Sequence, residues 1–260
     1  MFRSLFKIFI LAACLLSICV SVQAEDSNNV YPYVINGERA PARRAPIAKI
    51  TWTTNIGGKK YKYLCSGTLI AKKQVLSAAH CVTAKPKNYR IVLGGKTYRL
   101  RRIRKHPNYV ARPGGGNDVA IFTLRNPVAG IAPQPIVSRD TYPVSIGNLI
   151  AIYGYGKTEK GTSGRLYGGF SVVGVVYDEF IGSYFYSYDV SSVCSGDSGG
   201  PAFLVGLDGA GKYQPIGLVG ATSWGTTNTC GIGTETYFTN LQTPTVFNFI
   251  RKRVPKVKVR

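Results

Sequence analysis

The chain has 260 residues, with 33 Lys and Arg against 12 Asp and Glu, for a net charge of +21. Hydrophobic residues make up 45% and charged residues only 17%, which excludes a disordered polyelectrolyte and leaves a core-forming chain of one large or two small domains. Thirty glycines, 17 tyrosines and a single methionine favour turns and strands over helices.

Residues 1–24 read as a secretory signal. Arg3 and Lys7 start it, an apolar run fills 8–20, and Val22-Gln23-Ala24 offers a small-residue cleavage site before Glu25. The run is short of a retained membrane helix. Leu11-Ala12-Ala13-Cys14 also resembles a bacterial lipoprotein acceptor box. No other stretch could span a membrane, so the mature chain is expected to be secreted: extracellular, or periplasmic in a bacterium. Residues 25–33 are polar and read as a short propeptide.

Short apolar or alternating runs follow, each bounded by turn residues, at 48–52, 61–66, 68–70, 74–77, 89–93, 96–103 and 119–124. A proline-containing connector over 126–143 separates them from a second set at 149–155, 169–176, 184–190, 202–205, 214–223 and 234–238. Only 245–253 has helical spacing, through Val246, Phe247, Phe249 and Ile250. The pattern predicts an all-β protein of two β units, about 48–125 and 144–240, followed by a short helix and a basic tail over 254–260.

Four cysteines remain after the signal, Cys65, Cys81, Cys194 and Cys230, and an even number in an exported chain favours two disulfides. Their spacing matches no metal-ligand cluster and there are only two histidines, so neither metal nor cofactor is expected. Basic residues crowd 96–105 and the tail. Such a surface is drawn to polyanions, although a solvated basic face needs no dedicated partner.

The stretch Cys194-Ser195-Gly196-Asp197-Ser198-Gly199-Gly200-Pro201 sets a serine among glycines whose backbone freedom can aim N–H groups at one point. Alone, it reads first as a glycine-rich turn. A serine nucleophile needs a base, and only His80 and His106 exist. His106 adjoins a charge run, whereas His80 follows small residues and precedes Cys81. Asp118 is the only acid between Glu38 and Asp140, and it leads an apolar run that would half-bury it. It could orient the histidine or simply open a strand.

Ala78-Ala79-His80-Cys81, Asn117-Asp118-Val119-Ala120 and Gly196-Asp197-Ser198-Gly199-Gly200-Pro201 resemble, in that order, the three catalytic signatures of trypsin- and chymotrypsin-like serine proteases. Val34-Ile35-Asn36-Gly37, Cys65-Ser66-Gly67-Thr68-Leu69-Ile70, His106-Pro107, Gly154-Tyr155-Gly156 and Ser223-Trp224-Gly225 extend the likeness over about 34–253. The resemblance implies two six-stranded antiparallel β-barrels and peptide hydrolysis in the cleft between them. It assigns Ser198 as nucleophile, His80 as base, Asp118 as orienting acid, and the N–H groups of Gly196 and Ser198 as oxyanion donors.

It further implies Cys65–Cys81 and Cys194–Cys230 disulfides, and a monomer acting on protein or peptide substrates. A cut between Tyr33 and Val34 would free the Val34 amine to pair with Asp197. The specificity pocket falls on Ser192, Val193, Gly225 and Thr236, which lack the aspartate that trypsin-like members use for Lys and Arg. Cleavage is therefore expected after small or medium apolar residues, with Glu235 a one-residue slip from the pocket. A protease-like cationic binding module that does not cut is the alternative. No acid lies between Val82 and Asn117, so the calcium loop of some relatives is not expected.

Overall fold

The computed structural model describes residues 34–260 except Asn228. The predicted signal over 1–24 and propeptide over 25–33 lie outside the described residues. The first half contributes β1 (Glu38–Arg39), β2 (Ile47–Ile56), β3 (Lys59–Ala71), β4 (Gln74–Ser77), β5 (Arg90–Leu93), β6 (Lys96–Tyr98), β7 (Leu100–Lys105) and β8 (Ala120–Leu124). The second half contributes β9 (Leu149–Gly154), β10 (Tyr167–Val176), β11 (Phe180–Phe185), β12 (Pro201–Leu207), β13 (Tyr213–Gly225) and β14 (Thr234–Asn240), then the helix α1 (Pro244–Arg253).

All ladders are antiparallel, and they form two sheets. One runs β6-β5-β2-β3-β4-β8-β7 and curls without a ladder joining its ends among the described residues. The other runs β1-β10-β11-β14-β13-β12-β9, and β10 also pairs with β9, closing its last six strands into a barrel. Strand β10 can serve both neighbours because a register shift between Val173 and Val175 bends it, as a bulge does. This is the all-β, chymotrypsin-like architecture expected from the sequence, with its one short C-terminal helix.

Each sheet follows from alternation. Along β2, Ile50 and Trp52 are buried while Lys49 and Thr51 are only half-covered. Inward residues of the first sheet, such as Ile50, Leu69, Val75, Ile91, Leu93 and Phe122, fill one core. Ile150, Ile152, Ile181, Val219 and Phe238 fill the barrel. A third core joins the halves and takes in Val246, Phe249 and Ile250 of α1. Burying each such side chain contributes about 1.5–3 kcal/mol, so this seam is a principal source of cohesion.

Three expectations are revised. The runs at 61–66 and 68–70 are one strand, β3, because Gly67 lies where any Cβ would press on Leu76 O and Val75. The run at 96–103 divides at Arg99 into β6 and β7. The strand placed at 184–190 is instead β11, ending at Phe185. There Ser187 Oγ donates to Asp189 Oδ2 and accepts from Asp189 N, turning the chain out of the ladder. The basic tail is docked: Val259 forms a parallel bridge with Ile136, and Ile136 N donates to Lys258 O at 3.0 Å. Among the described residues, no helix is long and apolar enough to cross a membrane.

Candidate active site

Strands β4 and β8 are ladder neighbours, with Ser77 opposite Ala120. Antiparallel pairing therefore brings the residues just after β4 to the same sheet end as those just before β8. That places His80 beside Asp118. Asn117 has φ +60, a left-handed conformation that asparagine tolerates, and it turns Asp118 inward. His80 Nδ1 lies 2.7 Å from Asp118 Oδ2, and the His80 backbone N–H donates to Oδ1 at 2.9 Å. The His80 side chain is 33% exposed and that of Asp118 only 4%. One partner thus faces the cleft while the other is held behind it.

The barrel adds a third contact, from Ser223 near the end of β13, whose hydroxyl donates to Asp118 Oδ2 at 2.6 Å. Burial pushes the Asp118 carboxyl up, but the hydrogen bond and charge of His80 with the Ser223 hydroxyl hold it below the ordinary value. The other histidine belongs elsewhere. His106 is buried, its Nδ1 accepts from Asn108 N, its Nε2 meets Thr245 O at 3.2 Å, and its ring packs edge-on to Phe249. It fastens α1 to the first sheet.

Ser198 sits in the turn before β12, half-exposed, with its backbone carbonyl accepting from Ser66 N at 2.8 Å. Cys81 Sγ, one residue from His80, is 3.8 Å from the same carbonyl. The Ser66 hydroxyl donates to Gly196 O at 3.0 Å, so one β3 residue holds both ends of the serine turn. Gly196 has φ +102 and Gly199 φ +77, conformations that L side chains rarely adopt. Among the described residues, the N–H groups of Gly196 and Ser198 donate to no protein acceptor. Both Ser66 and Ser223 stand inside family-like motifs, but no periodicity or spacing singled out their roles.

A Cβ at Gly199 would collide with Ser77 Oγ and Ala78 N, at the seam between the halves. Gly199→Ala is therefore expected to cost about 3 kcal/mol, from overpacking plus the left-handed backbone, measured as a lower urea midpoint. An unchanged midpoint would mean the seam can open at no cost.

Asp197 is fully buried; its Oδ1 accepts from Gly156 N at 2.7 Å and its Oδ2 from Cys194 N at 2.9 Å. Burial pushes its carboxyl up to about 6 despite these two donors. Cys65–Cys81 and Cys194–Cys230 are both disulfides. The first brackets the histidine turn and, in the chain-entropy model, closing a loop of that size contributes about 3 kcal/mol. His80, Cys65 and Cys81 cluster, but both sulfurs are held in the disulfide and leave no thiolate for a metal.

Ser192, Val193 and Thr236 are buried, and Ser192 Oγ lies 3.3 Å from Thr236 Oγ1. Gly225 pairs with Thr236 across the β13–β14 ladder. Alternation along β14 sends the neighbouring Glu235 to the opposite face, where Tyr237 OH donates to it at 2.8 Å. Ser192 is thus brought together with Thr236 and not with the Glu235 carboxylate.

The family model described as Trypsin matches residues 34–248. The chain is 33% identical to human granzyme M over 114 residues, covering 40% of this chain and 43% of that protein. It is 26% identical to a trypsin of Saccharopolyspora erythraea over 213 residues, covering 74% and 86%, and 24% identical to trypsin 5G1 of Aedes aegypti, covering 69% and 72%. With the two-sheet architecture, both disulfides and a match running through the histidine, aspartate and serine segments alike, the chain belongs to the trypsin family of serine proteases.

Proposed function

We propose that the protein is a secreted serine endopeptidase in which Ser198 attacks the scissile carbonyl. His80 takes the hydroxyl proton and passes it to the leaving amine; water then releases the acyl group by the same route. Asp118 holds the His80 ring in one tautomer and stabilises the imidazolium. Gly196 and Ser198 N–H groups take the oxyanion, each donor worth about 3–4 kcal/mol in comparable sites. The observation that carries this reading is the continuous bond from Ser223 through Asp118 to His80 Nδ1, beside a serine turn with two unspent N–H groups. An organophosphonate probe should label the protein beginning at Val34, and Ser198→Ala should abolish labelling. An unlabelled, correctly processed protein would reduce it to a cationic binding module.

Activation by a cut between Tyr33 and Val34 is part of the proposal. Val34 is buried with φ +39, costly for a β-branched residue, and a free amine there could relax and pair with Asp197. Because the pocket floor carries no charge to reject the uncharged Tyr33, the enzyme could perform this cut itself, slowly, since Tyr33 fits a pocket narrowed by Thr236 poorly. Maturation of Ser198→Ala expressed alone would overturn self-processing.

Ser192, Val193, Gly225 and Thr236 present no carboxylate to offset burial of a Lys or Arg, and Thr236 narrows the space. We therefore assign cleavage after small or medium apolar residues. Thr236→Gly should raise kcat/KM for Phe over Ala at that position about tenfold, by analogy with adding room for a few methylenes. No change in the ratio would place the pocket elsewhere.

The basic surface is assigned to polyanions, for which a sulfated polysaccharide serves as the probe. Arg101, Arg102, Arg104 and Lys105 are all exposed on β7, which pairs only with β8 and is therefore an edge strand. The triple replacement of the three arginines by Ala should elute from a sulfated-polysaccharide column at lower salt than the unaltered protein. Elution at the same salt would remove the assignment.

A further inference from the structure

We propose that Glu235 and the tyrosines around it form a subsite for a Lys or Arg side chain of the substrate. That side chain would lie upstream of the residue entering the Ser192–Thr236 pocket. The inference rests on the protease reading and adds a second determinant to it.

The ladder registers build the subsite. Glu235 is directly opposite Tyr184 of β11, and Tyr237 is directly opposite Trp224 of β13. Residues two apart on a strand share a face, so Glu235, Tyr237, Tyr184 and Trp224 stand on one side of the sheet, away from Thr236. Tyr237 OH donates to Glu235 Oε2 at 2.8 Å, and Tyr186 OH reaches Oε1 at 3.5 Å. The Tyr184 and Tyr186 rings lie 5.6 Å apart at 31°. Glu235 is half-buried and Tyr186 exposed, so the carboxylate can be approached past the rings. Backbone bonds fix it in place: Thr226 N donates to Glu235 O, and Glu235 N donates to Thr226 Oγ1, both at 3.0 Å.

The chemistry of this cluster selects a cation. In a chain with 33 basic and 12 acidic residues, the single ion pair among the described residues is His80 with Asp118. Glu235 has only phenols as side-chain partners. Aromatic faces attract cations, and a carboxylate in their midst adds a full negative charge. An ammonium or guanidinium answers both; an acidic side chain answers neither, and an apolar one packs on the rings but leaves the carboxylate unpaired. Burial, and then Glu235, push the Tyr237 phenol up, so it remains a hydrogen-bond donor here.

The cluster also adjoins the cleft. Ser223, which bonds Asp118, is followed by Trp224, and Tyr237 stacks on Trp224 with ring centroids 4.2 Å apart at 12°. One stacked pair therefore separates the triad from Glu235. Gly225, the next residue of β13, stands opposite Thr236 in the ladder, so the strand that borders the pocket is the one that carries Trp224 to the cage. A substrate extended along this strand would bring the residues preceding the one in the pocket toward the cage.

The test uses peptides with a fixed apolar residue before the cut and Lys, Arg, Gln or Glu at each of the three preceding positions. At one position, Lys and Arg should raise kcat/KM about fivefold over Gln, the combined scale of an exposed ion pair and a cation–π contact. Glu235→Gln should bring that ratio to about one, and Glu235→Lys should invert it in favour of Glu. Binding of the same peptides to Ser198→Ala, read by calorimetry, should show the same preference without turnover. Preference in binding without cleavage or phosphonate labelling would overturn the protease reading and keep the subsite. Cleavage with no basic preference at any of the three positions, or a preference that survives Glu235→Gln, would overturn the subsite alone.

Discussion

Asp118→Asn is expected to lower kcat about 10⁴-fold at neutral pH, with the peptide KM nearly unchanged, following the general behaviour of such triads. The fold should tolerate the change. Asn fills the same volume, and its carbonyl oxygen can still accept from Ser223 or from the His80 N–H. What changes is the proton: an amide N–H facing His80 Nδ1 forces that nitrogen to accept, placing the ring hydrogen on the nitrogen that must take the serine proton. Steady-state kinetics on one good substrate, with unfolding curves for both proteins, makes the comparison. A loss below tenfold would mean that Asp118 only shapes the strand entrance. A loss of folding would mean that the buried carboxylate is structural, and Ser223→Ala, which removes one donor, would then decide by lowering kcat with little change in unfolding.

The second large effect concerns Asp197 and pH. In the single chain its carboxyl titrates at about 6, above the ordinary aspartate value of 3.8, because it is buried. The folded state therefore binds the proton more tightly than the unfolded state. Its contribution to stability is fully present below about pH 4 and is lost as pH rises through about 6, amounting to about 3 kcal/mol. In the cut protein, the Val34 ammonium would favour the ionised form and reverse the sign. Unfolding free energies of uncut Ser198→Ala and of the cut protein, taken from pH 4 to 7, should diverge as pH rises. The uncut chain weakens and the cut form gains. Parallel curves would mean that the amine does not reach Asp197, and Asp197→Asn in the uncut chain should flatten its slope.

The sequence disclosed most of this frame, and the exceptions have physical causes. Strands such as β4, β8 and β9 were legible because alternation and bounding turns agree. The pairing of His80 with Asp118 was legible because so few histidines and acids compete for it. The 184–190 strand was misplaced because its tyrosines alternate as a strand would, yet the Ser187–Asp189 turn takes the chain away. Strand β11 itself was obscured by Gly182 and Ser183, small residues that lack strand propensity but sit opposite the bulky Tyr237 and Thr236. Ser66 and Ser223 carried no signal of their own. Each matters through a partner more than 100 residues away, which no local pattern encodes. The docking of the 254–260 tail was hidden similarly, since its charge suggests solvent while its backbone completes a bridge.

The bonds that finish the His80–Asp118 pair have a kinetic consequence. Ser223 reaches Asp118 across 105 residues, Thr239 Oγ1 reaches Asp118 O across 121, and Thr245 Oγ1 reaches Asn117 across 128. Closures of that length come late, and all-antiparallel topologies dominated by them refold in milliseconds to seconds, not microseconds. The first sheet can collapse early and set His80 beside Asp118 while the bonds from Ser223, Thr239 and Thr245 are still missing. Hydrolytic competence should therefore emerge only in the slowest refolding phase, after most native secondary structure has returned.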